Sequence, residues 1–242
     1  MDKLSCISDD TTVLKGPFEL NYEWPKAERM QAAIYFRQAL QLSQVSAHRI
    51  ANKLPKKITR WGKFRVRGEK NVVRSAWAAE RVSNDRLRDS SFVRVSLSHP
   101  NWSISCPNNE NLKVELLADR NMDDPTLPDD PELVVLYGQL LYIAHVTLPK
   151  DQKLKIKEDC EALLGLVHFC KGARGDASLT PVWYTNMGAM QMVNISTIQC
   201  AVGCVCVSGT PNRWGILNVN YGCATPTFLE DGDNATGTLD DN

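Results

Sequence analysis

The stretch Leu133-Val-Val-Leu-Tyr-Gly-Gln-Leu-Leu-Tyr-Ile-Ala-His-Val-Thr-Leu148 is the longest apolar run in the chain. It is rich in β-branched and aromatic residues, which suit the pleated surface of a sheet. Gly138 interrupts the run and predicts a bulge or kink, and Pro149 ends it because proline cannot donate to a sheet ladder. The stretch therefore predicts a long strand around which a sheet is built.

Shorter apolar stretches on both sides of this strand are separated by turn-forming residues and predict further strands. The predicted strands span 93–97, 112–117, 163–170, 190–193, 200–207 and 214–221, with 195–198 leading into the fifth of them. Many short strands joined by turns are typical of a small β-barrel or a curled antiparallel sheet, not of a βαβ fold. Residues 91–228 are thus predicted to form a β-rich domain.

The N-terminal part of the chain follows a helical pattern instead. Residues 1–16 carry no periodic signal and predict a loose tail, whereas 17–54 predict a helical hairpin with helices over 26–41 and 47–54. The predicted fold class is therefore α+β, mainly β. Short helical hairpins serve most often as packing units, and a DNA-reading helix-turn-helix is the alternative. At the other end, 229–242 predicts an acidic disordered tail, since it has five acids and no base.

The formal net charge of +0 conceals a strong segregation of charge. Residues 49–74 contain ten lysines and arginines and one acid, whereas 107–165 contain twelve acids and six bases. Part of the acid lies in a proline-bearing loop, 121–131. Segregation of this kind indicates an electrostatic partner for the basic connecting segment, 55–90. The alternative is that the basic and acidic parts neutralise each other within the fold.

The basic connecting segment supplies the candidate binding residues. Basic and apolar residues alternate over 63–67, which predicts a strand whose basic residues form a cationic stripe. Cations bind phosphates with release of counterions, and an exposed aromatic ring stacks on a base, so the expected partner is DNA or RNA. The alternative for the aromatic residues is a role as core anchors. The predicted nucleic-acid-binding residues are Lys56, Lys57, Arg60, Trp61, Lys63, Arg65, Arg67 and Lys70.

No motif for catalysis, a metal or a cofactor is found, so the chain is predicted not to be an enzyme. The sequence has neither a phosphate-binding glycine loop nor closely paired metal-binding cysteines. His168, Cys170, Cys204 and Cys206 could form a mixed zinc site, but core packing is the favoured interpretation of these residues. A deep pocket lined by His145, His168 and Cys170 would instead indicate an enzyme.

The expected location is intracellular and nuclear. The N-terminus lacks the apolar run of a signal peptide, and the eight cysteines are dispersed and interpreted as reduced thiols, mostly buried. No apolar stretch approaches the roughly 18–20 residues that span a bilayer, so no membrane partner is expected.

Four segments resemble a group of uncharacterised proteins abundant in mushroom-forming fungi, where such segments often end transposon-derived reading frames. Residues 60–67 (Arg-Trp-Gly-Lys-Phe-Arg-Val-Arg) and 88–94 (Arg-Asp-Ser-Ser-Phe-Val-Arg) resemble the group's W-G-K-x-R-I and R-D-x-S-F-V-R-Y patterns. Residues 136–143 and 188–203 resemble its F-Y-G-Q-L and G-x-x-E-V-V-D-L-x-T-V-Q-C-x-V-G patterns. The resemblance implies no activity.

The chain departs from the group's pattern at Val95, Gln191, Asn194 and Cys204, which stand where the group has tyrosine, acids and arginine. An ionic site of the group is therefore not expected here. The strand order is also similar to that of a bromo-adjacent homology module, a β-rich domain of chromatin proteins; this likeness concerns the fold alone.

These observations lead to two hypotheses. The first is a non-enzymatic nuclear module that binds nucleic acid or chromatin through its basic segment and a protein through its β domain. It predicts duplex binding that weakens steeply with salt. The second is a structural or protein-interaction domain whose basic face docks on its own acidic loop. Charge reversal of Lys56, Lys57, Arg65 and Arg67 distinguishes the two, because only folding stability falls under the second.

Overall fold

A computed structural model describes residues 12–66, 71–81, 91–97, 134–173, 175–206 and 212–218. The strands are β1 (Thr12–Glu23), β2 (Lys57–Val66), β3 (Val73–Arg74), β4 (Phe92–Leu97), β5 (Val134–Leu148), β6 (Cys160–Lys171), β7 (Val182–Tyr184), β8 (Asn186–Asn194), β9 (Ile198–Cys206) and β10 (Trp214–Asn218). The helices are α1 (Lys26–Ala39), α2 (Ala47–Ala51) and α3 (Ala76–Ala79), and 3₁₀ turns span Gln152–Leu154 and Ile195–Thr197.

The long predicted strand is β5, and it forms the centre of the sheet. One edge of β5 pairs with β6, and the other edge pairs with β4 along its first half and with β2 at 143–145. The hydrogen-bonded order is β1-β2-β5-β4-β9-β10-β7, with β3 on β2 and β6 leading to β8. Because every pairing of the described strands is antiparallel, the prediction of a mainly β fold on a curled antiparallel sheet is confirmed. No ladder joins β8 to β9 in this part of the chain, so a closed barrel is not seen there.

Gly138 allows close approach of a neighbouring strand and does not mark a bulge. A Cβ atom at this position would lie 2.6 Å from the His168 carbonyl oxygen and 2.6 Å from Val167 Cγ1. The irregularity of β5 falls instead between Leu140 and Tyr142. The predicted position of the bulge was therefore wrong, because the sequence does not show which neighbour fills the space of the missing side chain.

The sheet buries side chains on both of its faces. On β6, Leu164 and Leu166 belong to one core cluster and Val167 to another, as strand alternation requires. The first cluster includes Phe36 of α1 and Ile50 of α2, so the two helices cover one face of the sheet. The second joins β4, β5, β6 and β8, and a third joins β5 to β7, β9 and β10.

The boundary predicted between a loose tail and a helical unit falls inside β1. Phe18, Leu20 and Tyr22 alternate with polar residues in the way a strand requires, and Pro17 interrupts the pattern. The two helices end earlier than predicted, at Ala39 and Ala51. The two helices lie in the connection between β1 and β2, which pair with each other, so they do not form a separate unit.

The described parts of the basic connecting segment form two strands and a helix. The strand predicted from residue 63 is β2, which begins earlier, at Lys57. After β3, helix α3 begins with a cap in which the backbone N–H of Ala78 donates to Ser75 Oγ at 3.2 Å. The predicted strand 112–117, the acidic loop 121–131 and the tail 229–242 lie outside the described residues. Within the described ranges, no helix is long and apolar enough to cross a membrane.

Candidate nucleic-acid interface

Three basic residues lie side by side across three strands. Lys63 of β2 is directly opposite Lys15 of β1 on one edge and directly opposite Arg74 of β3 on the other. Directly opposite residues of an antiparallel pair share a face of the sheet, with Cβ atoms about 4.5–5.5 Å apart. Lys15, Lys63 and Arg74 therefore form a continuous band of positive charge, which we call the cationic row.

The positive charge continues along β2 beyond the cationic row. Arg65 is two residues from Lys63, and strand alternation places it on the same face. All four basic side chains are half-buried, and the Nε of Arg65 is buried without a hydrogen-bond partner. None of the four forms an ion pair with an acid among the residues the structure describes.

An aromatic pair adjoins the cationic row. Trp61 is two residues from Lys63 in the opposite direction, and its ring lies against Phe18 of β1 with the centroids 5.1 Å apart. Trp61 also packs on the core cluster that contains Ile143, its direct neighbour in β5. Phe18 is 53% exposed. Trp61 thus anchors the pair to the core, while Phe18 presents its ring to solvent.

The cationic row is costly to the fold. Like charges placed directly opposite each other destabilise a sheet, by about 0.2–1 kcal/mol for each pair. The row contains two such pairs, Lys15–Lys63 and Lys63–Arg74, and no acid in the described part of the chain offsets them. An anion lying across the three strands would remove this repulsion. The arrangement is therefore chemically suited to a ligand with several negative charges in sequence.

Arg60, one of the predicted binding residues, has an internal role instead. Its Nε and Nη2 donate to Glu19 Oε2 at 2.8 and 2.7 Å. Its guanidinium lies over the Tyr22 ring at 4.0 Å and over the Trp77 ring at 4.4 Å. Since its side chain is only 18% exposed, Arg60 is a connector between β1, β2 and α3, and its assignment to the binding site is corrected.

The remaining predicted binding residues are dispersed. Lys56 and Lys57 are exposed at the start of β2, away from the cationic row, and Lys57 Nζ lies 3.9 Å from a Glu23 carboxylate oxygen. Arg67 and Lys70 lie outside the described residues. The structure therefore brings Lys63 and Arg65 of the predicted set onto one face, whereas Trp61 packs on the core cluster to which Phe64, the residue between them, belongs.

Three residues beside the predicted set were missed by the sequence analysis: Lys15 and Arg74 of the cationic row, and Phe18 of the aromatic pair. Lys15 and Phe18 precede the basic segment by two helices, and only the pairing of β1 with β2 brings them close to it. Arg74 belongs to the basic stretch 49–74 but was not predicted as a binding residue. Its strand, β3, has only two residues, which is too short to show an alternating pattern in the sequence. The alternation around Phe18 was the one sequence signal for β1.

The helix-turn-helix alternative does not agree with the structure. The second helix, α2, spans only five residues, which is too short to read base edges in a major groove. Lys53, which follows it, is held by Asp151 through an Nζ–Oδ2 contact of 2.6 Å. The helices therefore pack on the sheet, and the positive face lies on the strands.

The three residues whose clustering would indicate an enzyme do not form one site. His145 is directly opposite Leu163, which is roughly 16 Å along β6 from His168 at the rise of a strand. His168 Nε2 lies 3.1 Å from the Gly188 carbonyl oxygen. Burial raises the pKa of the Cys170 thiol, which disfavours the nucleophilic thiolate.

Of the four residues of the candidate zinc site, Cys170 and Cys204 pack in one core cluster, where the Cys204 Sγ lies 3.6 Å from the hydroxyl of Tyr184. Cys206 is exposed at the end of β9. Across the described ranges, no group of three or more histidine, cysteine and acidic side chains is placed to hold a metal ion. The five described cysteines are thiols: Cys160, Cys170, Cys200, Cys204 and Cys206.

No protein-family model, curated protein or solved structure shows significant similarity to this chain. The resemblance to the fungal proteins and to the bromo-adjacent homology module therefore stays a prediction.

Proposed function

We propose that the protein is a non-enzymatic nuclear module that binds nucleic acid through the cationic row and Arg65. The observation that carries the proposal is the register of Lys15, Lys63 and Arg74. These three basic residues lie directly opposite one another on neighbouring strands, and none has an acidic partner among the described residues. A structural role for these residues gives no reason to keep their mutual repulsion.

Phosphate chemistry supports this choice of ligand. A phosphodiester backbone carries one charge per nucleotide, and each cation that neutralises a phosphate releases bound counterions. Four basic side chains at strand spacing present several such contacts at once. Binding through about four contacts gives a slope of about −3 in a plot of log affinity against log salt. Such a steep slope separates phosphate binding from apolar association.

The test is a double charge reversal with a matched control. The variant K63E/R74E removes two members of the cationic row, and K157E/K171E makes the same change of net charge at exposed lysines elsewhere. Affinity for fluorescein-labelled DNA and RNA, single-stranded and duplex, is measured by fluorescence anisotropy over a range of salt concentrations. We expect K63E/R74E to lose affinity and to reduce the salt slope by about 1.4–1.8. We expect the control to retain most of both.

Two results would overturn the proposal. One is that the unaltered chain binds none of the four nucleic acids at low salt. The other is that K63E/R74E and the control lose the same affinity, which would make net charge and not this face responsible.

A further inference from the structure

We infer that one face of the three strands β7, β10 and β9 is a docking site for a segment of the same chain, residues 226–233 (Pro-Thr-Phe-Leu-Glu-Asp-Gly-Asp). These strands lie at the opposite end of the sheet order from β1 and β2, so the inference is independent of nucleic-acid binding. The segment contains an apolar pair followed by three acids. The face offers apolar side chains and a basic residue in the matching order.

Three exposed apolar side chains form this face. Trp183 of β7 and Val205 of β9 are both directly opposite Gly215 of β10, and directly opposite residues share a face of the sheet. Leu217 follows Gly215 by two residues and therefore lies on the same face. The exposed fractions are 40% for Trp183, 45% for Val205 and 46% for Leu217. We call these three side chains the docking face.

The docking face continues a face that is buried elsewhere in the sheet. On β9, Ala201 is directly opposite Val93 of β4, which belongs to the second core cluster. Gly203 and Val205 follow Ala201 at the period of a strand, so they share its face. Among the described residues, the face that forms core at β4 is thus open to solvent at the docking face. A segment that covers it would extend this core.

An aromatic ring and a basic residue are held together at one end of the docking face. The Trp183 ring lies close against the backbone of Gly215, where an added Cβ would be 2.7 Å from Trp183 Cζ3. The guanidinium carbon of Arg213 lies over this ring, 4.8 Å from its centroid. Arg213 is exposed and has no acidic partner in the described ranges. An acidic group that follows an apolar side chain would complement this end.

The size of the docking face suits a short segment. Each of its side chains exposes less than half of its surface, and even an aromatic side chain buries only about 150–250 Å². The three together therefore present less than roughly 350 Å², whereas a stable interface needs about 800 Å² from each partner. A second folded copy would gain too little here. A segment of the same chain needs less contact, because a short linkage gives an effective concentration of about millimolar order.

The order of residues in 226–233 matches the direction of the docking face. The chain leaves β10 at Asn218, beside Leu217, whereas Arg213 precedes the start of this strand. A segment that folds back over the face therefore passes Leu217 first and Arg213 last. In 226–233 the apolar pair likewise comes first and the acids follow it. Leu217 and Arg213 are about 13 Å apart along the strand, a distance that an extended segment covers between its apolar pair and its acids.

The linkage is long enough for this return. Residues 219–227 connect β10 to the apolar pair, and they exceed the roughly two to five residues of a usual hairpin loop. The acids belong to 229–242, which the sequence predicts to be disordered. Docking is compatible with that prediction, because disordered segments can become ordered on binding.

The experiment incorporates fluorotryptophan into the full chain and records fluorine NMR spectra. The Trp183 resonance is assigned as the one that disappears in W183L. The variant F228S/L229S removes the apolar pair of the segment, and L239S, at a leucine later in the same tail, is the matched control. The remaining tryptophan resonances show whether the fold is unchanged. If F228S/L229S disturbs them, the milder variant E230Q/D231Q decides, because it removes only the charge that would face Arg213.

We expect F228S/L229S to shift the Trp183 resonance, E230Q/D231Q to shift it less in the same direction, and L239S to leave it unchanged. The inference is wrong if the Trp183 resonance keeps its position in both segment variants, or if L239S shifts it equally. It is also wrong if the resonance of the unaltered chain moves on dilution, since a second copy would then cover the face.

Discussion

Tyr142 connects the helical face of the protein to the central strand through two hydrogen bonds. Its hydroxyl accepts from Trp24 Nε1 at 3.0 Å and donates to Glu28 Oε2 at 2.6 Å, and Tyr22 packs edge-on against its ring. Burial raises the pKa of Tyr142, and the neighbouring Glu28 carboxylate raises it further. The hydroxyl is thus held in its protonated form, because only that form can donate to the carboxylate.

Stability should therefore fall at alkaline pH, and Tyr142→Phe should reduce that fall. In the unfolded chain a tyrosine loses its proton near pH 10, whereas folded Tyr142 retains it. The unfolded state then binds fewer protons, so the free energy of unfolding decreases as pH rises above about 10. Urea unfolding at pH 7 and above pH 10 measures the effect. We expect Tyr142→Phe to cost about 1–3 kcal/mol at pH 7, since it leaves a buried indole N–H unpaired.

The raised pKa values of Tyr35 and Tyr137, also caused mainly by burial, give the unaltered chain further alkaline sensitivity. Tyr142→Phe should therefore reduce the slope of stability against pH and not abolish it. An unchanged slope in this variant would show that Tyr142 titrates normally in the folded protein.

At the scale of the elements, the approach of β6 to β5 depends on Gly138. Its missing Cβ leaves room for the backbone carbonyl of His168, which cannot move without disturbing the ladder. We predict that Gly138→Ala destabilises the protein by more than about 2 kcal/mol, because overpacking against backbone forces the strands apart. Thermal or urea unfolding measures the loss. Gly16→Ala is the control, since a Cβ at Gly16 would meet nothing within 4 Å. Equal stability of the two variants would contradict the account.

The elements also show how far the sequence predicts this fold and where it does not. β5 was predicted within one residue because its enrichment in β-branched and aromatic residues, and the proline that follows, favour a strand over a buried helix. β1 was missed because Pro17 interrupts its sequence pattern and its pairing with β2 shifts register twice, between Lys15 and Phe18 and between Glu19 and Tyr22. The candidate site shares this difficulty. Lys63 and Arg65 follow from alternation within β2, but Lys15 joins them only through a register that no local pattern encodes.

At the scale of the whole molecule, the segregation of charge has two competing explanations. Either the positive face is kept for an external polyanion, or it docks on the acidic loop of the same chain, 121–131. Lys63 is the residue that separates them, because it stands between Lys15 and Arg74 at the centre of the cationic row. The two explanations give opposite signs for the effect of reversing its charge on stability.

We predict that Lys63→Glu stabilises the folded protein by about 1 kcal/mol while it weakens nucleic-acid binding. The substitution converts two repulsive cross-strand pairs into two attractive ones, and each pair contributes about 0.2–1 kcal/mol at a partly exposed site. Lys63→Gln should give about half of this gain, since it removes the repulsion without adding attraction.

Lys171→Glu controls for net charge. The measurement is urea unfolding at low and at high salt, where screening should reduce the gain. A loss of stability in Lys63→Glu would mean that Lys63 already has an acidic partner within the chain, as docking on the acidic loop requires. A gain in stability coupled to a loss of binding is the expected signature of a surface that is maintained for a ligand at the expense of the fold.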